Sequence, residues 1–463
     1  MKANEIHKFK FKAGNPSLPG ATVMEGGVNF ALRSKYASSC TLHLFESGHI
    51  AQLASNRQAI TVKEAAASIE IPESFRFNDC FAIFIEGLDY ENFLYSYTCD
   101  GPFSPQEGHL FDKSRLLADP YARMYSGFDR WAELSQVDEK GRRVVLSAIV
   151  DGKYDWEDEK RPGIEDSKLV IYELNVHNFS SGEKDAALCG KLDALLAKIP
   201  YLKDLGVNCV ELLPIFEFDE LDCKYSAPTG ERLHNVWGYN SIGYFAPKSS
   251  YLNGATAKEK ISNLKDFVKK MHAAGIEVIL DVVYNHSPEY DRSGEYISYR
   301  GIDNKSYYML SQNGEYVDYT GCHNTIDCNG EFARKMILDS LCYWACEFHI
   351  DGFRFDLASV FYRHSPSSCN CPEDNSSVIV KEISAHPALS KVKLLAEPWD
   401  AAGLYQLGTF GDEIDCGSAV DHGTKHSCQD ESAFNFKPSY HKNPWSEWNG
   451  RYRDTIRRFV KVA

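Results

Sequence analysis

One recurring unit limits what this chain can fold into. From residue 169 onward, short apolar runs alternate with helical stretches. The runs fall at 169–176, 207–213, 276–283, 350–357 and 392–396. Between them, residues 191–205 place Leu192, Leu195, Leu196, Ile199 and Leu202 on one side, with Gly206 as a stop. Residues 261–274 do the same with Leu264, Phe267, Val268 and Met271, ahead of Gly275. Residues 332–348 follow with Ala333, Ile337, Leu341 and Trp344. Apolar strands spaced by helices form a parallel sheet covered on its faces. The leading form is a (β/α)8 TIM barrel, whose chemistry gathers at the C-terminal ends of the strands.

The first hundred residues read differently. Val28 to Leu32 alternates after Gly26-Gly27, and further short strands fall at 41–45, 81–86 and 93–97. That spacing predicts an antiparallel β-sandwich over residues 1–100, with a connecting segment over 101–168. The sandwich serves either as a structural appendage or as a polysaccharide-binding module. Composition narrows the partners. The formal net charge is −15, which argues against nucleic acid and anionic membranes and leaves room for a neutral substrate such as a sugar. Residues 1–11 are lysine-rich and carry no long apolar run, so neither a secretory signal nor a membrane span is expected. The 14 cysteines are scattered, some on apolar faces such as Cys209 and Cys342, which predicts reduced thiols in an intracellular protein.

Three successive strand ends carry polar groups. One reads Asp281-Val-Val-Tyr-Asn285-His286, the next Arg354-Phe-Asp356, and the last Glu397-Pro398-Trp399-Asp400. In a strand, Arg354 and Asp356 point to the same face, so the guanidinium holds the carboxylate ionised and oriented. Taken alone, that pair reads equally as a structural ion pair. His286 alone could be a satisfied strand-end histidine, and Tyr239 a core aromatic. Two carboxyls from neighbouring strand ends fit a retaining glycosidase, which needs a nucleophile and an acid/base roughly 5–5.5 Å apart.

These stretches resemble the α-amylase superfamily, glycoside hydrolase family 13, and within it the isoamylase-type debranching enzymes. Further local matches are Ile199-Pro-Tyr-Leu-Lys-Asp-Leu-Gly206, Glu211-Leu-Leu-Pro214, Val236-Trp-Gly-Tyr-Asn240 and Asn449-Gly-Arg-Tyr-Arg-Asp454. The resemblance implies Asp356 as nucleophile and Glu397 as acid/base. It also implies that Arg354 keeps Asp356 ionised, that His286 and Tyr239 bind the sugar, and that Asp281 and Trp399 support the sugar site. The N-terminal sandwich resembles a family-48 carbohydrate-binding module. The implied substrate is a branched α-glucan, glycogen or amylopectin, cleaved at α-1,6 branch points. The implied location is the cytoplasm, or a plastid in a plant or alga. No cofactor is implied. Two other functions stay open: a branching or transferring enzyme that uses a sugar acceptor, and a non-catalytic glucan-binding or partner subunit.

Three departures from the family accompany the resemblance. Relatives usually read His-Val-Arg-Gly-Phe where this chain has Asn175-Val-His177-Asn178-Phe179. An atypical insertion occupies 411–444, whereas a loop domain over 284–330 after the third strand belongs to the expected organisation. The insertion's Cys416, His422, His426 and Cys428 match no zinc spacing, so no metal is expected. Finally, no Asn-His-Asp run follows Glu397, and the chain stops at Ala463 in what reads as the fifth barrel helix. The expectation is therefore an incomplete barrel of about five of eight units, inactive alone for want of a third catalytic aspartate.

Overall fold

The computed structural model describes residues 9–47, 59–62, 64–132, 135–185, 187–223, 226–231, 233–366, 376–412 and 443–462. The insertion's four candidate metal ligands lie outside them.

Two antiparallel sheets form the N-terminal part. One runs Lys10–Ala13, Cys80–Glu86, Gly27–Arg33, Gly20–Met24, with Arg76–Phe77 also paired to Cys80–Glu86. The other runs Ser147–Ala148, Phe93–Asp100, Ser39–Glu46, Ala67–Glu70. Their inward residues meet: Phe30 of the first sheet packs edge-on against Tyr95 of the second, ring centres 5.2 Å apart. The segment after residue 100 thus lends a strand, Ser147–Ala148, to the sandwich. It also carries the buried Asp119, which accepts a hydrogen bond from the Tyr95 hydroxyl at 2.9 Å.

Six parallel strands follow in chain order across one sheet: β1 (Ile171–Leu174), β2 (Cys209–Leu212), β3 (Glu277–Val282), β4 (Gly352–Phe355), β5 (Lys393–Ala396) and β6 (Trp445–Glu447). All of β2, β3 and β4 is buried, which is why these strands read as continuous apolar runs rather than alternating ones. Between β2 and β3 lies helix α1 (Ala257–Ala273). It starts on a capping box, in which the Glu259 amide donates to the Thr256 hydroxyl and the Thr256 amide donates to the Glu259 carboxylate. It ends at Gly275, whose φ of +76° is a left-handed stop. Between β3 and β4 lies α2 (Glu331–Glu347), which buries Phe332, Met336, Ile337, Leu341 and Trp344. Each such side chain contributes roughly 1.5–3 kcal/mol.

Two expectations change. The helix expected over 191–205 is two short helices, Asp193–Ala197 and Ile199–Asp204. Pro200 lacks the amide hydrogen needed to continue the first helix into the second. The expected count of parallel strands is also one short. Trp445–Glu447 pairs in parallel with β5, Ala396 opposite Glu447. The last helix, α3 (Gly450–Val462), therefore follows a sixth strand rather than the fifth. Three residues reading Trp-Ser-Glu carry no periodicity by which a sequence could announce them.

Candidate active site

The parallel register places the polar strand ends side by side. Asp281 pairs with Arg354 across β3 and β4, and Arg354 with Leu395 across β4 and β5. Asp356 therefore emerges just past β4, beside Glu397 just past β5.

Arg354 is the hub. Its Nη1 donates to Asp281 Oδ1 and to Asp356 Oδ1, each at 3.0 Å, and its Nη2 lies 3.1 Å from Glu397 Oε1. The guanidinium is buried, and the surrounding carboxylates hold its pKa well above the ordinary value, against the cost of burial. Asp356 has a second anchor. Asn285 Nδ2 donates to its Oδ2 and to its backbone oxygen, both at 2.9 Å. Glu397 is held by the main chain: Leu357 N–H donates to its Oε2 at 2.7 Å. That amide is aimed by an unusual turn. Leu357 adopts φ 43° and ψ 47°, left-handed values that cost a non-glycine residue roughly 1–2 kcal/mol.

The electrostatics separate the carboxyls. Burial pushes Glu397 up to about 7; Arg354 opposes the shift, and the charge of Asp356 adds to it. Asp281 is likewise raised to about 7 by burial, despite Arg354 and the Tyr239 hydroxyl that donates to it at 2.5 Å. Glu211 of β2 is raised well above the ordinary range by burial and by Asp281.

His286 sits between acceptors. Its Nε2 donates to the Tyr239 carbonyl at 2.9 Å, and its Nδ1 faces Asn285 Oδ1 at 2.5 Å. Because Asn285 Nδ2 is committed to Asp356, its amide must present oxygen to the ring. Both ring nitrogens then face oxygen acceptors, surroundings that favour the protonated imidazole. Burial disfavours that charge, but Cys322, Asp356 and the Tyr239 carbonyl outweigh it and raise the pKa.

Beside Tyr239 and His286 opens a cleft of about 540 Å³, lined also by Asp222, His234, Trp237, Tyr290 and Cys322. Trp237 is 64% exposed. The structure thus brings Asp281, His286, Arg354, Asp356, Glu397 and Tyr239 together. Trp399 lies two residues past Glu397, its backbone N–H donating to the Glu397 carbonyl at 2.9 Å, and its ring stacks on Tyr405, centres 5.9 Å apart and 10° from parallel. At the first strand end, Asn175 caps the helix Val176–Ser180 and His177 stacks on Trp131, so the departure from the family's usual run is absorbed locally.

Sequence reasoning passed over Asn285, Leu357 and Trp448. Asn285 was legible as the neighbour of His286 on a strand end. The Leu357 turn has no signal in its residue type. Trp448, whose ring lies 4.3 Å from the Arg354 guanidinium, stands one residue ahead of the Asn449 motif and just past the strand that was not expected.

Residues 171–394 match the family described as "Alpha amylase, catalytic domain". Isoamylase 3, chloroplastic, of Oryza sativa subsp. japonica is 40% identical over 98% of this chain and 54% of its own length. A glycogen debranching enzyme of Yersinia enterocolitica is 35% identical over 96% of this chain and 60% of its own. The chain thus spans little more than half of these relatives. A pullulanase of Paenibacillus barengoltzii, solved with maltohexaose and α-cyclodextrin, superposes with a TM-score of 0.60 at 22% identity, covering 84% of this chain and 54% of that one. Among the described residues no helix is long and apolar enough to cross a membrane. Residues 171–394 thus match an α-amylase catalytic domain, and the chain is similar over nearly its whole length to isoamylases and glycogen debranching enzymes.

Proposed function

We propose that this chain carries the nucleophile and the acid/base of an α-glucan debranching hydrolase. The observation that carries the reading is the bridging of Asp356 and Glu397 by one guanidinium, with Glu397 held near neutrality. Asp356 Oδ attacks the anomeric carbon at a branch point while Glu397 gives its proton to the departing 6-oxygen. Glu397 then takes a proton from water, which releases the sugar from Asp356. His286 and Tyr239 hold the sugar beside them. Asp281 orients Arg354 and Tyr239, and Trp399 flanks the site from the β5 loop. The six strands are read as consecutive members of a (β/α)8 barrel over 169–463, behind a carbohydrate-binding-type sandwich over 1–100 and a connector over 101–168. The substrate is a branched α-glucan such as glycogen or amylopectin, as the names of the relatives suggest, and the location is cytoplasm or plastid.

The test uses an activated donor. With α-maltotriosyl fluoride, the bond from Asp356 to the anomeric carbon forms as fluoride leaves with its electron pair, so no acid is needed. Intact mass spectrometry of Glu397→Gln should show an accumulating maltotriosyl adduct, and Asp356→Asn none. An Asp356→Asn protein that still forms the adduct sinks the assignment. Release of linear chains from glycogen, scored against newly formed branches, separates hydrolysis from transfer. Turnover by the purified chain would also overturn the expectation that it is inactive alone.

A further inference from the structure

Arg354 serves two carboxyls with opposite jobs, and its hydrogen bonds do not explain how its plane is fixed. Nη1 and Nη2 carry every contact to Asp281, Asp356 and Glu397. Nε is buried and has no hydrogen-bond partner. A guanidinium held only at its two terminal nitrogens can tilt about the line joining them. Tilting would swing the N–H bonds of both nitrogens out of line with Asp356 and Glu397 alike. What faces the plane is an indole: the guanidinium carbon lies 4.3 Å from the centre of the Trp448 ring.

We propose that Trp448 is a positioning residue whose indole clamps the Arg354 guanidinium in the one plane that serves Asp356 and Glu397 together. This rests on the catalytic reading above and extends it to the residue just past the sixth strand. Stacking on an aromatic face is a geometry that guanidinium adopts and ammonium does not, because only the former is planar. The main chain that carries the ring is anchored. The Trp448 backbone N–H donates to the Ala396 carbonyl at 2.9 Å, beside Glu397. One residue earlier, Glu447 accepts from the Phe410 and Gly408 amides at 2.9 and 2.6 Å, which ties β6 to the loop after β5. Trp445 Nε1–H donates to Ser384 at 2.9 Å and fixes the start of the strand. A tryptophan that merely filled core would be buried like Trp344; Trp448 is only half-buried and spends its face on a charge.

The experiment compares Trp448→Phe, Trp448→Leu and Trp448→Ala with the parent chain. Adduct formation from α-maltotriosyl fluoride is measured as a rate and as a half-saturating concentration. Leu and Ala should slow the rate about 10-fold with little change in half-saturation, and Phe should keep more than half of it. Leu fills the space without a π face, so a Leu variant as fast as Phe overturns the proposal. In an Arg354→Lys background, removing the indole should cost nothing further, because a lysine has no plane to hold. A full additional 10-fold loss there would show that Trp448 does not act through Arg354. Crystal structures of the Phe and Leu variants give a readout that needs no turnover. The Arg354 guanidinium should keep its plane with Phe and leave it with Leu. An unmoved guanidinium in the Leu variant overturns the proposal. A parent chain that forms no adduct counts against the catalytic reading alone, and the crystallographic comparison then decides this one.

Discussion

Two buried cations sit at opposite ends of the same parallel sheet, and they are treated differently. At the N-terminal end, His272 of α1 lies between Glu159 on Nδ1 and Asp351 on Nε2, the latter at 2.7 Å. Glu159 also binds His349 at 2.6 Å, and nearby Lys393 meets Glu277 at 2.7 Å. Carboxylates there sit directly on cations, Glu159 and Asp351 on His272 and Glu277 on Lys393, while burial lowers the pKa of His349. At the C-terminal end, Asp281, Asp356, Glu397 and Glu211 crowd Arg354, with His286 nearby and Arg453 acting on Glu397 from the surface. The four carboxyls outnumber the cations around them. Matched charge makes a clamp, whereas surplus negative charge must store protons. The raised Glu397 is that store.

The sharpest way to break the contrast is to remove the nucleophile. Asp356→Asn should lower any turnover by about 1,000-fold or more while leaving the melting temperature within a few degrees, checked by rate assay and calorimetry together. Glu397→Gln should slow hydrolysis of an α-1,6 bond about 100- to 10,000-fold. It should also change the pH dependence. If Glu397 is the acid it must carry its proton, so any turnover should fall as pH rises through about 7. The Gln variant should lack this alkaline limb; a surviving limb near 7 would assign the titration elsewhere.

The opposite end should respond in stability instead. Glu159→Gln removes one partner of a buried charge and should cost about 3 kcal/mol in urea unfolding, with adduct formation intact once folded. The sign of the pH effect follows from His272, whose pKa rises because Asp351 and Glu159 outweigh burial. A raised histidine stabilises fully below its unfolded value of about 6.5 and stops doing so as pH rises through the folded one. The parent should therefore lose stability from pH 6 to 8.5, and the variant should lose less. The smallest effect is Trp156→Ala, which removes the ring stacked on His349 at 3.8 Å and should cost about 1 kcal/mol, read by the same melts.

What the sequence disclosed depends on how locally each feature is encoded. The α1 face, the Gly275 stop and the largely apolar, fully buried β3 follow from periodicity and residue type, and the structure keeps them. Asp281, His286, Arg354, Asp356 and Glu397 were legible because strand ends of a parallel sheet share one rim. Three kinds of feature were not. Pro200 splits a helix whose apolar spacing alone looked continuous. β6 is three residues long, so its pairing with β5 supplies all its evidence. The clamp around His272 joins residues from 159 to 351, and no local pattern reports a contact across such a span.

The left-handed turn at Leu357 has one more consequence. Glu397 is steadied by a main-chain amide rather than by a side chain. Nearly any replacement at position 357 would still present an N–H, so mutational drift there cannot easily disarm the acid. Only proline, with no such hydrogen and a fixed negative φ, deletes the anchor outright. The chain accepts a standing local strain at this corner, and in return the protonated group is insured against most single changes in its neighbour's identity.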